Sequence, residues 1–312
     1  MGPQVLVYSR HPEAPAELLR RIDPSVRVVA AATREEAEPH LDNTQILFAW
    51  RFPPDLYGRM PQLKWVQSMG AGVEDILAAP GLSPDVAVTR IVDQFGGLIA
   101  EYVLSEVLAL VKAHQRLRRQ QAERRWEPFT VESLQGRTMG VAGLGSVGGA
   151  IVQRARAFDM RIFGLSRTKR PVRGVERQFG PDDWLHFVAE LDYLVLALPL
   201  TPATHRVVDI RVLERMTPSA VLVNVGRGRL VDEAALIHQI SSGRLGGAVL
   251  DVFEKEPLPP ESPLWTLPGV IVTPHVSGPS LDEHVTTFFA ENLRRHVAGE
   301  MLMGLVDRAA GY

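Results

Sequence analysis

The hexapeptide Gly143-Leu144-Gly145-Ser146-Val147-Gly148 restricts this chain more than any other segment. It follows a short apolar run, Met139-Gly140-Val141-Ala142, and opens a helical pattern through Ile151, Val152, Ala155 and Phe158. A second apolar run, Arg161-Ile162-Phe163-Gly164-Leu165, comes next. Strand, glycine turn, helix and strand in that order describe a parallel crossover unit. The first glycine permits a tight turn, the second lets a pyrophosphate approach the backbone, and the third allows close helix–strand packing. The helix then offers free N–H groups and a positive dipole end to phosphate. Alone, the glycine pattern is weakly diagnostic; flanked in this way it is specific for a dinucleotide.

Apolar runs continue this unit at Tyr193–Leu198, Ala220–Val223, Ala248–Asp251 and Val270–Thr273. With Thr138–Ala142 and Arg161–Leu165 they make six strands separated by helical segments, a doubly wound Rossmann arrangement. Before residue 95, five shorter runs (Val5–Tyr8, Val26–Ala30, Ile46–Trp50, Trp65–Ser68 and Val86–Thr89) alternate with helices and Pro-rich loops. They predict a smaller parallel α/β sheet. The fold class is therefore α/β, with two doubly wound parallel-sheet domains. A helical pattern from Gly96 to about Arg119, apolar at Val103, Leu104, Val107, Leu108 and Val111, is long enough to cross between them. A last helix is predicted over Leu281 to Ala298.

The 312 residues, 46% of them hydrophobic, suffice for two cores. A net charge of −2 gives no electrostatic case for nucleic acid or an anionic membrane as partner. The absence of cysteine excludes disulfides and thiolate metal sites and fits a reducing compartment. No apolar run reaches the roughly 18 residues of a membrane span. The start, Met1-Gly2-Pro3-Gln4-Val5-Leu6, lacks a signal-peptide core. A cytoplasmic protein is expected. The histidines His114, His186, His238 and His296 fall in polar helical patterns without ligand spacing, so no metal site is expected.

Three polar residues at predicted strand ends suggest chemistry. Arg227 lies in Asn224-Val225-Gly226-Arg227-Gly228, Glu256 in Glu254-Lys255-Glu256-Pro257-Leu258, and His275 in Thr273-Pro274-His275-Val276. Histidine, with an unperturbed pKa of roughly 6.5, suits proton delivery near neutral pH. A carboxylate beside it fixes the ring's tautomer, and a guanidinium offers a planar fork to a carboxylate substrate. Read singly, each is an ordinary surface residue at the end of a strand. Ser68-Met69-Gly70-Ala71-Gly72-Val73 is also small and glycine-rich after a strand, so its N–H groups are open to an anion. At the end of the second Rossmann strand, where an acidic residue would bind the ribose hydroxyls of NAD, the chain has Ser166-Arg167-Thr168-Lys169-Arg170. Hydroxyls and cations there suit a 2′-phosphate, so NADP(H) is the expected cofactor, with NAD(H) possible. A solvated basic turn is the plain alternative.

Taken in order, the glycine loop, Asn224-Val225-Gly226-Arg227-Gly228, Leu250-Asp251-Val252-Phe253 with Glu256-Pro257-Leu258, and Thr273-Pro274-His275 resemble the D-isomer-specific 2-hydroxyacid dehydrogenase family. The stretch Glu256–Trp265 and the tail Val306–Tyr312 look like its bacterial glyoxylate/hydroxypyruvate reductase A subgroup. The motifs span about residues 136 to 280. The resemblance implies a flavodoxin-like substrate domain over 1–94 and 280–312 and a dinucleotide domain over 95–279. It implies His275 as the catalytic general acid, Glu256 as its paired acid and Arg227 as the substrate arginine. Met69, Gly70, Ala71 and Gly72 would meet the substrate, while Trp50 either narrows the pocket or plugs the small domain. Asp251 resembles the residue that meets the nicotinamide carboxamide. Leu198 and Pro199 resemble the loop beside the nicotinamide ribose, and Val225 is counted with the cofactor residues. A homodimer joined through the dinucleotide domain is implied; Trp126 has a partner subunit, a substrate or simple packing as its possible contacts. The activity implied is NADPH-dependent reduction of glyoxylate to glycolate and of hydroxypyruvate to D-glycerate. Reduction of bulkier 2-keto acids such as phenylpyruvate, and a dinucleotide-sensing interaction protein on the same fold, stay open.

Overall fold

The computed structural model describes residues 2–311, so Met1 and Tyr312, the outermost residues of the expected substrate domain and of the tail motif, lie outside the described residues. The chain divides into two compact units, Met1–Gln94 with Ser280–Tyr312, and Phe95–Pro279.

The first unit holds five parallel strands: β1 (Gln4–Tyr8), β2 (Arg27–Ala31), β3 (Ile46–Ala49), β4 (Trp65–Ser68) and β5 (Ala87–Thr89), in the order β2-β1-β3-β4-β5. That is the flavodoxin-type order. All four residues of β3 and of β4 are buried, as expected of strands covered on both faces. On one face Phe48 stacks on Phe289 of the helix Asp282–Ala298 at 4.3 Å, and Trp65 lies 5.1 Å from the same ring. Leu47, Val66, Phe52, Leu56 and Tyr57 fill the core of the other face. Beyond the last helix the chain returns to the edge strand β5, where Arg90 donates to the Gly304 carbonyl and Val306 to that of Val88. That pairing covers an otherwise open sheet edge. Asn292 ties the return in place, receiving the Met303 N–H and donating to Gln67 inside the sheet.

The second unit has seven parallel strands: β6 (Thr138–Ala142), β7 (Arg161–Leu165), β8 (Arg177–Phe179), β9 (Tyr193–Leu196), β10 (Val221–Asn224), β11 (Gly247–Leu250) and β12 (Val270–Val272). Their order, β12-β11-β10-β9-β6-β7-β8, reverses between β6 and β9, the topological switch point of a Rossmann sheet. Two expectations are corrected here. The six strands are seven, because the edge strand β8 has only three residues, with a single apolar one, Phe179. The helix expected from Gly96 to about Arg119 is two, Gly96–Val111 and His114–Ala122, broken at Ala113 in the left-handed region, φ 52°. The helix Gly96–Val111 packs on Ser146–Arg156. Gly96 permits this, since a Cβ there would lie 2.9 Å from the Ser146 carbonyl oxygen.

Candidate active site

Parallel pairing gathers the expected cofactor residues at one end of the larger sheet. Ala142 pairs with Leu165 and with Leu196, so the turns after β6, β7 and β9 are neighbours. The glycine turn starts with Gly143 at φ 96°, where a Cβ would run into the Ala197 carbonyl. Gly148 backs onto the Gly143 carbonyl with no room for a Cβ. Gly145 differs: it caps the helix Ser146–Arg156, no side chain caps that end, and no atom lies within 4 Å of where its Cβ would be. Leu144, Ser146 and Val147 complete a turn whose backbone faces open space at a helix N-terminus. That is the cradle a pyrophosphate needs.

After β7, Ser166 is half-buried and Arg167, Thr168 and Lys169 are exposed. Gln178 of β8 donates to Ser166 Oγ at 3.0 Å, which leaves the serine proton to be aimed elsewhere. Lys169 is 2.9 Å from Asp183, whose carboxylate also accepts the Gly180 N–H. That N–H, and then the lysine ammonium, hold the Asp183 carboxyl below its ordinary range. Neither Gln178 nor Asp183 stood out in the sequence. Leu198 and Pro199 follow β9, and Thr204 Oγ1 donates to the Pro199 carbonyl at 2.7 Å.

The three candidate catalytic residues follow β10, β11 and β12 of the same sheet. Asn224, buried at the end of β10, braces the Arg227 turn: its Nδ2 donates to the Arg227 carbonyl and its Oδ1 accepts the Gly226 N–H. A polar residue closing the buried strand Val-Leu-Val-Asn was a readable signal. Val225 is buried next to it and donates to the Leu196 carbonyl. Gly228 lies so close to the Phe253 backbone that a Cβ would collide with it, which brings the turn of Arg227 against the loop of Glu256. His275 Nδ1 is 2.8 Å from Glu256 Oε2, and Glu256 Oε1 accepts the Phe253 N–H. With Nδ1–H given to the carboxylate, Nε2 is the ring atom left for a substrate.

Asp251 is fully buried. Its carboxylate accepts from Thr273 Oγ1 at 2.6 Å, from Val276 N at 2.8 Å and from Ser277 N at 2.9 Å. Thr273 Oγ1 also lies 2.6 Å from the Tyr102 hydroxyl. Burial pushes the Tyr102 phenol well above its ordinary pKa. Neither Tyr102 nor Thr273 had a role by spacing alone.

In the other unit, Trp50 follows β3 and Met69–Gly72 follow β4. Trp50 is 42% exposed, and its ring lies against Gly70, where a Cβ would strike it. It is therefore no plug of the small core. Ser68 Oγ accepts the Gly70 N–H and donates to the Gly72 carbonyl, closing the loop on itself. Among the described residues no group of His, Asp and Glu could hold a metal, and no helix is long and apolar enough to cross a membrane.

Residues 104–277 match the family model described as D-isomer specific 2-hydroxyacid dehydrogenase, NAD binding domain. The chain belongs to that family, and its larger unit is a nicotinamide dinucleotide domain. A family protein from Aeromonas salmonicida subsp. salmonicida A449 is 34% identical, covering 99% of this chain and 100% of its own, with a TM-score of 0.92. An NADPH-dependent glyoxylate/hydroxypyruvate reductase from Sinorhizobium meliloti, solved with NADP and sulfate, is 32% identical over 100% of both chains, TM-score 0.91. A D-isomer specific 2-hydroxyacid dehydrogenase from Xanthobacter autotrophicus Py2, solved with NADPH and MES, is 34% identical over 100% of this chain and 99% of its own, TM-score 0.90. The protein is thus an NAD(P)-dependent oxidoreductase of the 2-hydroxyacid class.

Proposed function

We propose that this chain reduces small 2-keto acids with NADPH, converting glyoxylate to glycolate and hydroxypyruvate to D-glycerate. The observation that carries the reading is the Glu256–His275 pair at 2.8 Å, which directs Nδ1–H to the carboxylate and leaves Nε2 to give up the second proton of the imidazolium form, at the same sheet end as the glycine turn. When bound, the nicotinamide supplies the hydride to the keto carbon. His275 delivers a proton from Nε2 to the keto oxygen and regains one from solvent. Glu256, held by the Phe253 N–H, keeps the imidazole in one tautomer and orientation. Arg227 offers its fork to the carboxylate and keto oxygens.

The turn Ser166–Lys169 supports NADPH over NADH. It contains no acid to repel a 2′-phosphate, and Ser166, Arg167 and Thr168 carry donors suited to one. Lys169, engaged by Asp183, acts more as a brace for the turn than as a direct ligand. We assign the substrate domain to 1–94 and 280–312 and the dinucleotide domain to 95–279. The exposed side chains Leu117, Trp126 and Val131, Trp126 being 94% exposed, fit the interface of a homodimer. Size-exclusion chromatography with light scattering tests that assembly.

Following NADPH absorbance with glyoxylate, hydroxypyruvate and phenylpyruvate tests the reaction. Turnover is expected with the first two and should exceed that with phenylpyruvate. A preference for phenylpyruvate would replace the small-acid reading, and no oxidation with any 2-keto acid would end the reductase reading.

A further inference from the structure

The backbone that carries His275 is held from behind by a chain of hydrogen bonds. Asp251 accepts the N–H groups of Val276 and Ser277, the two residues after His275, and the hydroxyl of Thr273, two residues before it. His275 has φ 55°, a left-handed conformation that a non-glycine residue keeps only where its surroundings impose it. The direction of each bond follows from counting protons. A carboxylate receiving two N–H donors is an acceptor, so the single hydroxyl hydrogen of Thr273 goes to Asp251. Thr273 must then accept from Tyr102, whose hydroxyl oxygen is 2.6 Å away on the helix Gly96–Val111.

We propose that Tyr102 is a positioning residue for the reaction, acting through Thr273 and Asp251 to hold residues 273–277 so that the His275 ring stays on Glu256 with Nε2 free for proton delivery. This rests on the proposed role of His275 as proton donor. Tyr102 is half-buried and bonds to Thr273, so phenylalanine fills the same space without the donor. Thr273 then keeps its bond to Asp251 but loses the one that orients it.

In the full-length protein, Tyr102→Phe should lower kcat with the best 2-keto acid about tenfold, with KM and the Kd for NADPH changed less than about twofold. Backbone amide exchange at Val276 and Ser277 should quicken by about tenfold. Thr273→Ser should keep both properties, and Thr273→Val should lose them. Because the two residues act in series, Tyr102→Phe with Thr273→Val should be no worse than Thr273→Val alone. Full kcat in Tyr102→Phe, or a double-variant loss equal to the product of the single losses, would overturn the relay. A wild-type protein inactive with every 2-keto acid would overturn the reductase reading instead. Amide exchange then judges the relay by itself, and unchanged exchange in Tyr102→Phe would refute it.

Discussion

After β6 the chain enters a helix through Gly145, whose end no side chain caps, whereas after β11 and β12 the functional side chains are held by neighbours at close range. The first corner offers bare backbone to an anion. The second offers an imidazole whose angle depends on Glu256, Asp251 and the N–H groups around them. The difference predicts opposite sensitivities. The glycine turn should suffer from added atoms, because the approach of phosphate to the backbone is its function. The catalytic corner should suffer from lost atoms, because each partner removed frees a side chain that must stay in place.

The largest effect belongs to the catalytic corner. His275→Gln should lower kcat by roughly 10²- to 10⁴-fold, the usual span for a general acid, while NADPH binding stays near wild type. Glu256→Gln should be milder, since the amide oxygen can still accept from His275 Nδ1. Arg227→Lys keeps the charge and loses the fork, so kcat/KM for glyoxylate should still fall. Steady-state kinetics and fluorescence titration of NADPH check all three. Normal turnover in His275→Gln would remove that residue from proton transfer, and a lysine variant matching wild type would leave Arg227 as a point charge.

Cofactor affinity comes next and sharpens the contrast. If Arg167 meets the 2′-phosphate, a charged hydrogen bond of about 1.5–3 kcal/mol is lost in Arg167→Ala. The Kd for NADPH should then rise roughly 10- to 150-fold, at about 1.4 kcal/mol per factor of ten. NADH should barely change. Gly145→Ala should weaken both cofactors together, by roughly 5- to 150-fold for an overpacking penalty of about 1–3 kcal/mol. Its melting temperature should hold, because no atom lies within 4 Å of the new Cβ. Equal losses of NADPH and NADH in Arg167→Ala would mean that the arginine only supports the turn.

What could be read from the chain divides along the same line. The glycine turn and the long strands carry their cause locally, as glycines at forced conformations and as apolar runs of four or five residues. Arg227, Glu256 and His275 drew attention because each stands just beyond such a run. The strand β8 escaped because its arginine, not an apolar residue, covers the ring beside it: the Arg177 guanidinium lies 4.7 Å from the Phe163 ring centre. The break at Ala113 escaped because Leu117 continues the apolar spacing past it, although Leu117 is 43% exposed. The Lys169–Asp183, Ser166–Gln178 and Tyr102–Thr273 contacts join residues 12 to 171 positions apart. No local pattern announces them; the first two exist because parallel strands bring distant segments side by side, and the third because the helix Gly96–Val111 brings Tyr102 to the end of β12.

The smallest predicted effect lies beside the catalytic corner, where a carboxylate is held at some expense to the fold. Glu233, in the first turn of the helix Glu233–Ser241, accepts the Glu254 N–H at 3.2 Å. Burial raises its pKa; the Glu254 N–H opposes that shift and the Glu254 charge adds to it. A carboxyl with a raised folded pKa binds its proton more tightly in the folded state than in the unfolded one. Its penalty on stability is therefore absent below the unfolded pKa and complete above the folded one. Glu233→Gln removes that penalty and keeps an oxygen for the Glu254 N–H. The variant should melt slightly higher than wild type at about pH 8, with the gain shrinking toward about pH 4, where unfolded glutamates take up protons. Thermal unfolding of both proteins across that range decides it. A loss of stability at about pH 8 would show that the Glu233 charge, and not only its oxygen, holds the loop of Glu254 in place.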